Sequence, residues 1–290
     1  MSRRVHRSLW VWLGAGLAFL YIPIISLVIF SFNSSKLVTV WAGFSTRWYG
    51  SLFHNEQILD AAGLSVRIGL ISALLAVVLG TMVAVALARF GAFRGRAILS
   101  ALSTAPLVMP EVITGLSLLL LFVALEQAIG WPAGRSAMTI IIAHTTFSMA
   151  YVAVVVQSRL AGMDPSIEEA ALDLGARPGK VFFVITLPLI SPALVSGFLL
   201  AFTLSLDDLV ISSFVSGPGA TTLPMVIYSK VRLGLSPEIN ALATLMVAIV
   251  GAGVVIAGIV MNRAEKARIR DEQMALAGDD LPATDPVAPA

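Results

Sequence analysis

Three acids and one histidine lie inside long apolar stretches of the sequence: Glu111, Asp207, Asp208 and His144. A carboxylate exposed to hydrocarbon costs roughly 2.5 kcal/mol or more, so such groups usually face a water-filled route or a polar partner. His144 stands among small polar residues, and helix packing through such residues accounts for it. The acids are therefore the candidates for contact with a charged solute.

Helix geometry predicts the depth of these acids. Asp207 follows Pro188 by 19 residues, about 28 Å of helix in a hydrocarbon core roughly 30 Å thick. Glu111 follows Ala97 by 14 residues, about 21 Å. We therefore expect all three acids near the outer mouth. Adjacent residues of one helix point about 100° apart, so we expect one aspartate to face the pathway, and the sequence leaves open which.

Residue spacing excludes two enzymatic functions, ATP hydrolysis and intramembrane proteolysis. Segment 175–181 resembles a phosphate-binding loop but has one residue too few between its glycines, and Val181 stands where Ser or Thr should coordinate magnesium. An intramembrane aspartyl protease needs two carboxylates that face each other from separate helices. Asp207 and Asp208 are adjacent, so we predict no catalytic residue and no metal site. An ATP-independent channel stays a remote alternative.

The composition of the whole chain is that of a membrane protein. Of its 290 residues, 58% are hydrophobic and 12% charged, with no cysteine and a mean hydropathy of +0.91. Continuous apolar runs exclude a β-barrel, so the fold class is all-α and polytopic. A span needs about 20 apolar residues. The six predicted spans are 9–32, 64–88, 97–124, 137–157, 189–215 and 240–262.

The distribution of Lys and Arg predicts the orientation of these spans. Thirteen of the 19 basic residues flank the spans on one face, and the positive-inside rule makes that face cytoplasmic. Both termini are then cytoplasmic, and the first span is expected to be an uncleaved signal-anchor because its apolar run is too long for a signal peptide. The basic clusters serve topology, so we expect no nucleic-acid binding.

The one long inner loop, 158–188, carries a short helix outside the membrane. Asp164 suits an N-cap and Pro165 the first helical position. Glu168 and Glu169 follow in the first turn, where they complement the helix dipole. Gly175 ends the helix, and we expect it to need a positive φ.

This loop resembles the EAA loop of ABC-importer permeases at every motif position. The matching residues are Glu169, Ala170, Ala171, Gly175, Ile185, Leu187 and Pro188. The resemblance extends to the six-helix type I permease core and covers about 9–270. It implies that the loop docks in a cleft of a separate ATPase, with Glu169 and Gly175 as coupling residues. ATP and magnesium would then be used by that ATPase, with no cofactor bound by this chain.

Segments 204–219, 237–244 and 263–266 are similar to the polyamine group of these permeases, and 217–224 most resembles the second permease of putrescine systems. The alternative is a permease for spermidine or another cationic or small solute. The group implies a bacterial inner-membrane complex with a second permease, two ATPase copies and a periplasmic polyamine-binding protein. Ser205 lies in the first of these segments and joins the acids as a candidate pathway residue.

The outer loop 33–63 contributes the last candidate. Trp48, with Trp41 and Tyr49 nearby, is either an interfacial anchor or a contact for substrate or partner. The predicted permease domain covers 1–274. The remainder, 275–290, is rich in Ala, Asp and Pro and is predicted to be a disordered cytoplasmic tail.

Overall fold

The structure, a computed structural model, describes residues 2–37, 40–234, 236–252, 255 and 259. Its regular elements in these ranges are helices. They are α1 (Ser2–Ser31), α2 (Arg47–Phe53), α3 (Glu56–Arg89), α4 (Arg96–Val108), α5 (Glu111–Ile129), α6 (Ala137–Ala161), α7 (Ser166–Asp173), α8 (Pro178–Val181), α9 (Leu187–Asp207), α10 (Val210–Val215), α11 (Leu223–Leu233) and α12 (Pro237–Ala252). A π-helical turn, Phe182–Thr186, joins α8 to α9. The chain forms two units, Phe53–Gly234 and a unit made from both ends of the sequence, Met1–Leu52 and Leu235–Ala290.

The Phe53–Gly234 unit has its core where α3, α6 and α9 pack together. Fully buried Val152 of α6 lies between two glycines of the neighbouring helices. A Cβ added to Gly80 would lie 2.8 Å from Cβ of Val152, and one added to Gly197 would lie 3.3 Å from its Cγ1. Small residues let helix backbones approach closely in lipid, where no hydrophobic force drives helices together. These glycines therefore set the spacing of the three helices.

The unit formed by the chain ends contains a loop ordered around one asparagine. The fully buried Asn33 accepts backbone N–H bonds at Oδ1 from Ser35 and Ala42, at 3.2 and 3.0 Å. Its Nδ2 donates to the carbonyls of Leu37 and Val40 at 3.3 and 2.7 Å. Four bonds from one side chain replace a backbone ladder, so Asn33 holds the described residues around it in a defined shape.

Five helical stretches of the described residues are long and apolar enough to cross a membrane: Leu9–Ser31, Glu56–Arg89, Glu111–Ile129, Ala137–Ala161 and Pro178–Asp207. The helix α12 is apolar but shorter within the described range. The end of the predicted span 240–262, the basic stretch at 263–266 and the predicted tail lie outside the described residues. The all-α, polytopic class is confirmed.

Two predicted spans are not continuous helices. The segment 97–124 divides into α4 and α5, because Met109 takes an extended ψ of 137° and Pro110 lacks the N–H that a helix would use. The segment 189–215 divides at Asp208, which is extended with ψ 121°. No proline or glycine marks this second break in the sequence, so its cause lies in the side-chain contacts of Asp208.

Candidate functional site

The two adjacent aspartates occupy different structural positions. Asp207 is the last residue of α9 and its side chain is exposed. Asp208 begins the extended step that separates α9 from α10, and its side chain is 8% exposed. The two side chains therefore have different surroundings, one exposed and one enclosed.

The carboxylate of Asp208 is saturated by groups of the chain itself. It accepts the backbone N–H groups of Ile211 at 3.1 Å and Ser212 at 2.7 Å, and so caps the first turn of α10. Its Oδ2 also lies 3.0 Å from Nε2 of His144 on α6. These contacts fix the break after α9, because the freed N–H groups of α10 would otherwise lack acceptors.

His144 is the centre of a buried polar network that the sequence did not reveal. Its side chain is 2% exposed, and its Nδ1 lies 2.6 Å from Oγ of Ser205 while Nε2 lies 3.1 Å from Oγ of Ser212. Ser72 of α3 reaches Ser205 at 3.2 Å. The network joins α3, α6, α9 and α10, and we name these five residues, Ser72, His144, Ser205, Asp208 and Ser212, the buried polar network.

The network places Ser205 inside the chain, because the residue is 6% exposed and its hydroxyl contacts both Ser72 and His144. A proton on Nε2 of His144 would let the ring donate to Asp208 while Nδ1 accepts from Ser205. One sequence signal was available: Asp is a preferred capping residue, and Asp208 stands three residues before Ile211, whose N–H it accepts. The contact between His144 and Asp208, which are 64 positions apart in the sequence, had no sequence signal.

Glu111 is the first residue of α5, directly after the helix-breaking Pro110, and its side chain is exposed. A carboxylate in the first turn of a helix interacts favourably with the helix dipole, which gives Glu111 a structural reason that the sequence had not suggested. One turn further on, a Cβ on Gly115 would lie 2.8 Å from the ring of Phe214 in α10. No hydrogen bond or ion pair between described residues joins Glu111 to either aspartate.

Trp48 has internal partners in the unit formed by the chain ends. Its indole Nε1 donates to the carbonyl of Asn33 at 2.7 Å, and the guanidinium of Arg47 lies 4.2 Å from its ring centroid. These contacts anchor α2 to the ordered outer loop. A cationic solute that stacked on this ring would compete with Arg47.

The helix α7 starts one residue later than predicted, because Pro165 takes the N-cap position instead of the first helical position and Asp164 stands just before it. Oδ1 of Asp164 accepts from the N–H of Ser166 at 3.0 Å, which lowers the pKa of Asp164. At the other end Gly175 has φ +84°, which confirms the predicted positive φ. Gly175 donates to the carbonyl of Leu172 and Ala176 to that of Ala171, the hydrogen-bond pair of a Schellman cap.

Helix α7 has no buried residue. Glu169 and Ala170 are exposed, together with the large side chains Ile167 at 48% and Leu172 at 43%. Only Glu168 and Ala171 are half-buried, and they lie three residues apart on one face. The helix therefore presents most of its surface, including an apolar part, away from the rest of its unit.

Glu168 holds the inner face of α7 to two other elements. Its Oε2 lies 2.9 Å from Nε of Arg89, the last residue of α3, and its Oε1 accepts from Thr186 at 2.8 Å. Thr186 ends the π-helical turn. Glu168 carried no special signal in the sequence beyond its place in the first turn, beside the motif residue Glu169.

The π-helical turn explains how Leu187 and Pro188 begin a long helix. The N–H of Leu187 donates to the carbonyl of Phe182, five residues back. A proline in a helix lacks its own N–H and clashes with the carbonyl four residues earlier, and the wider turn relieves that clash. Leu187 is half-buried and Pro188 exposed. Among the described residues no cluster of three or more His, Asp or Glu could hold a metal ion.

These features, a capped amphipathic helix on a loop and apolar helices around a polar network, define a polytopic helical membrane protein. Residues 76–270 match the family described as "Binding-protein-dependent transport system inner membrane component", and the chain belongs to that family. The predictions of a multi-pass inner-membrane transport subunit rather than an enzyme are thereby confirmed. Individual relatives are more specific. The chain is 64% identical to "Putrescine transport system permease protein PotI" of Escherichia coli K12 over 94% of this chain and 98% of that protein.

A second group of relatives is more distant. The chain is 44% identical to "Spermidine/putrescine transport system permease protein PotC" of Escherichia coli K12, over 79% of this chain and 84% of that protein. Among solved structures, a bacterial ABC transporter involved in import of the acidic polysaccharide alginate matches with a TM-score of 0.70 at 18% identity, covering 90% of this chain and 98% of that one. At this identity the likeness shows the fold alone, that of an ABC-importer permease.

Proposed function

We propose that this chain is the second permease of an ATP-driven putrescine importer. The observation that carries the proposal is the 64% identity, over nearly the whole of both chains, to a permease named for putrescine transport. The exposed acids Asp207 and Glu111 fit the charge of a dicationic solute. In this proposal both termini are cytoplasmic, and a periplasmic polyamine-binding protein delivers the solute to the opposite face.

ATP energy enters through α7 in this proposal. Its exposed surface docks on a cytoplasmic ATPase, with Glu169 and Ala170 at the contact. Ala171 keeps the helix slender, and Gly175 fixes the angle at which it leaves the loop. Leu187 and Pro188 start α9, so a displacement of the loop would pass into a membrane-spanning helix. Two ATPase copies bind the ATP and magnesium, and a second, related permease completes the pathway.

The two aspartates have separate tasks in the proposed pathway. Asp207 faces away from the core of its unit and is the candidate ligand for an ammonium group. Asp208 and Ser205 belong to the buried polar network, so they position the end of α9 rather than touch the solute. Glu111 is a second exposed acid on the pathway, and Trp48 shapes the outer loop near the site where the binding protein would dock.

The experiment is uptake of labelled putrescine by vesicles that contain this chain, the second permease, the ATPase and the binding protein. We expect uptake only with ATP and only with all four components. Uptake without ATP would indicate a channel instead. Uptake by this chain and the ATPase alone would contradict the need for a second permease.

A spermidine permease is the second candidate, favoured by the 44% identity to relatives named for spermidine and putrescine together. Competition separates the two substrates. Unlabelled putrescine should reduce the uptake of labelled putrescine at a lower concentration than unlabelled spermidine does. The reverse order would assign the chain to spermidine transport.

A further inference from the structure

We propose that Glu168 is a positioning residue that couples α7 to the membrane helices and sets how much transport each ATP produces. This inference rests on the proposed function, since it assumes that an ATPase moves α7. It assigns a role to a residue that sequence reasoning passed over in favour of its neighbour Glu169. Glu169 is exposed and Glu168 is turned inward, so the two acids act on different sides of the same helix.

The two carboxylate oxygens of Glu168 contact two different elements of the structure. Oε2 is paired with Arg89 at the end of α3, and Oε1 accepts the hydrogen bond of Thr186 at the entrance to α9. Apart from Ala171, every other residue of α7 is exposed. A push on α7 would therefore reach α3 and α9 through this carboxylate.

Both receiving helices lead into the centre of their unit. The helix α3 runs for 34 residues from Arg89 back to Glu56, and it carries Ser72 of the buried polar network. The helix α9 ends at Asp207, beside that network. The loop is thus joined to the proposed ligand Asp207 by α9 and to the buried polar network by α3, and Glu168 contacts the loop end of both routes. The physical warrant is this contiguous chain of packed elements.

The partial exposure of the Arg89–Glu168 pair to water suits a contact that changes during the transport cycle. The side chains of Arg89 and Glu168 are 22% and 14% exposed, so the pair is shielded but not sealed from water. Nε and Nη2 of Arg89 are both buried and have no hydrogen-bond partner among the described residues, so its contact with Glu168 is an ion pair without hydrogen-bond geometry. Loss of the carboxylate would leave this guanidinium with fewer partners, and Arg89 would move toward water rather than hold α7.

The test is the number of ATP molecules hydrolysed for each putrescine taken up by the four-component vesicles. For Glu168→Gln we expect normal assembly and ATP hydrolysis but roughly fivefold less uptake, so that the ratio rises by the same factor. Thr186→Val removes the other contact and should raise the ratio less. The double variant Arg89→Glu with Glu168→Arg restores the pair in reverse and should bring the ratio back toward the wild-type value.

Asp164→Asn is the matched control, because it removes the same charge from the same loop while Asn still caps a helix. A Glu168→Gln complex with the control's ratio would overturn the inference. If Glu168→Gln does not assemble, the double variant Arg89→Glu with Glu168→Arg provides the test. Recovery of assembly with an abnormal ratio of ATP hydrolysed to putrescine taken up would show that Glu168 has a structural role only. Absence of putrescine uptake by the wild-type complex would instead contradict the proposed function.

Discussion

Two pairs of adjacent acids, Asp207–Asp208 and Glu168–Glu169, divide their work in the same way. In each pair one carboxylate is turned inward and held by the chain, and the other is exposed. The inward acids fix an element: Asp208 caps α10 and Glu168 fastens α7. The exposed acids are the ones available to a solute or a protein partner. Adjacent acids in a membrane transporter therefore need not share a ligand.

The pairs differ in how completely the inward acid is enclosed. Asp208 is 8% exposed beside a histidine that is 2% exposed, whereas Glu168 and Arg89 are 14% and 22% exposed. Removal of a partner from a fully desolvated contact leaves its buried neighbours without hydrogen bonds, which costs far more than the same removal near water. We therefore expect Asp208 to govern stability and Glu168 to govern coupling.

The largest expected effect is the loss of stability in Asp208→Ala. The variant leaves His144 and two backbone N–H groups of α10 without their acceptor. Each buried donor that is left without an acceptor costs about 1–3 kcal/mol. Thermal unfolding of the purified chain in detergent should show a clear fall in melting temperature, whereas Asp207→Ala should unfold close to wild type.

Coupling between the two partners can be measured separately. Together with Asp208→Ala, the variants His144→Ala and Asp208→Ala/His144→Ala form a double-mutant cycle. The interaction energy between His144 and Asp208 from this cycle should be about 1–3 kcal/mol. If Asp207→Ala and Asp208→Ala destabilise the protein equally, the division between inward and exposed acids is wrong for this pair.

A smaller effect is expected on substrate affinity. Asp207→Asn keeps the size of the side chain but removes the charge that would meet an ammonium group, so the KM for putrescine should rise roughly tenfold, or about 1.4 kcal/mol. The maximal rate and the melting temperature should change little. Uptake over a range of putrescine concentrations measures both parameters. An unchanged KM in Asp207→Asn together with Glu111→Gln would contradict the acidic mouth.

The sequence predicted the elements better than the contacts between them. Apolar runs predicted the long apolar helices but not the breaks within 97–124 and 189–215, and the loop spacing predicted α7 with its positive-φ glycine. Pro110 marked the break before α5. The break at Asp208 had no local marker, because it depends on His144, which is 64 residues away. The sequence likewise could not show which of Glu168 and Glu169 faces Arg89, since helix packing decides that.

The cap of the coupling helix should show an intermediate effect on transport. Gly175 has open space around it, since no atom lies within 4 Å of an added Cβ, so its φ of +84° is the constraint. Gly175→Val should cost about 1–2 kcal/mol and displace the end of α7. Uptake should fall with the ATPase intact, and Gly175→Asn should fall less because Asn tolerates this conformation. Equal uptake by both variants and wild type would show that the cap does not matter.

The smallest effect is expected at Asp164, which is fully exposed but still caps α7. The N–H of Ser166 lowers the pKa of Asp164 because it stabilises the charged carboxylate. A lowered pKa means that the capping contribution is present above the unfolded pKa of about 3.9 and is lost as the pH falls through the lower folded value. Hydrogen exchange at the amide of Ser166, corrected for its intrinsic pH dependence, should therefore lose protection only below about pH 4. In Asp164→Asn the protection should not change over this range, because the amide caps without titrating. A loss of protection between pH 5 and 7 would mean that a group other than Asp164 holds this end of the helix. The assignment of this role to Asp164 would then be wrong.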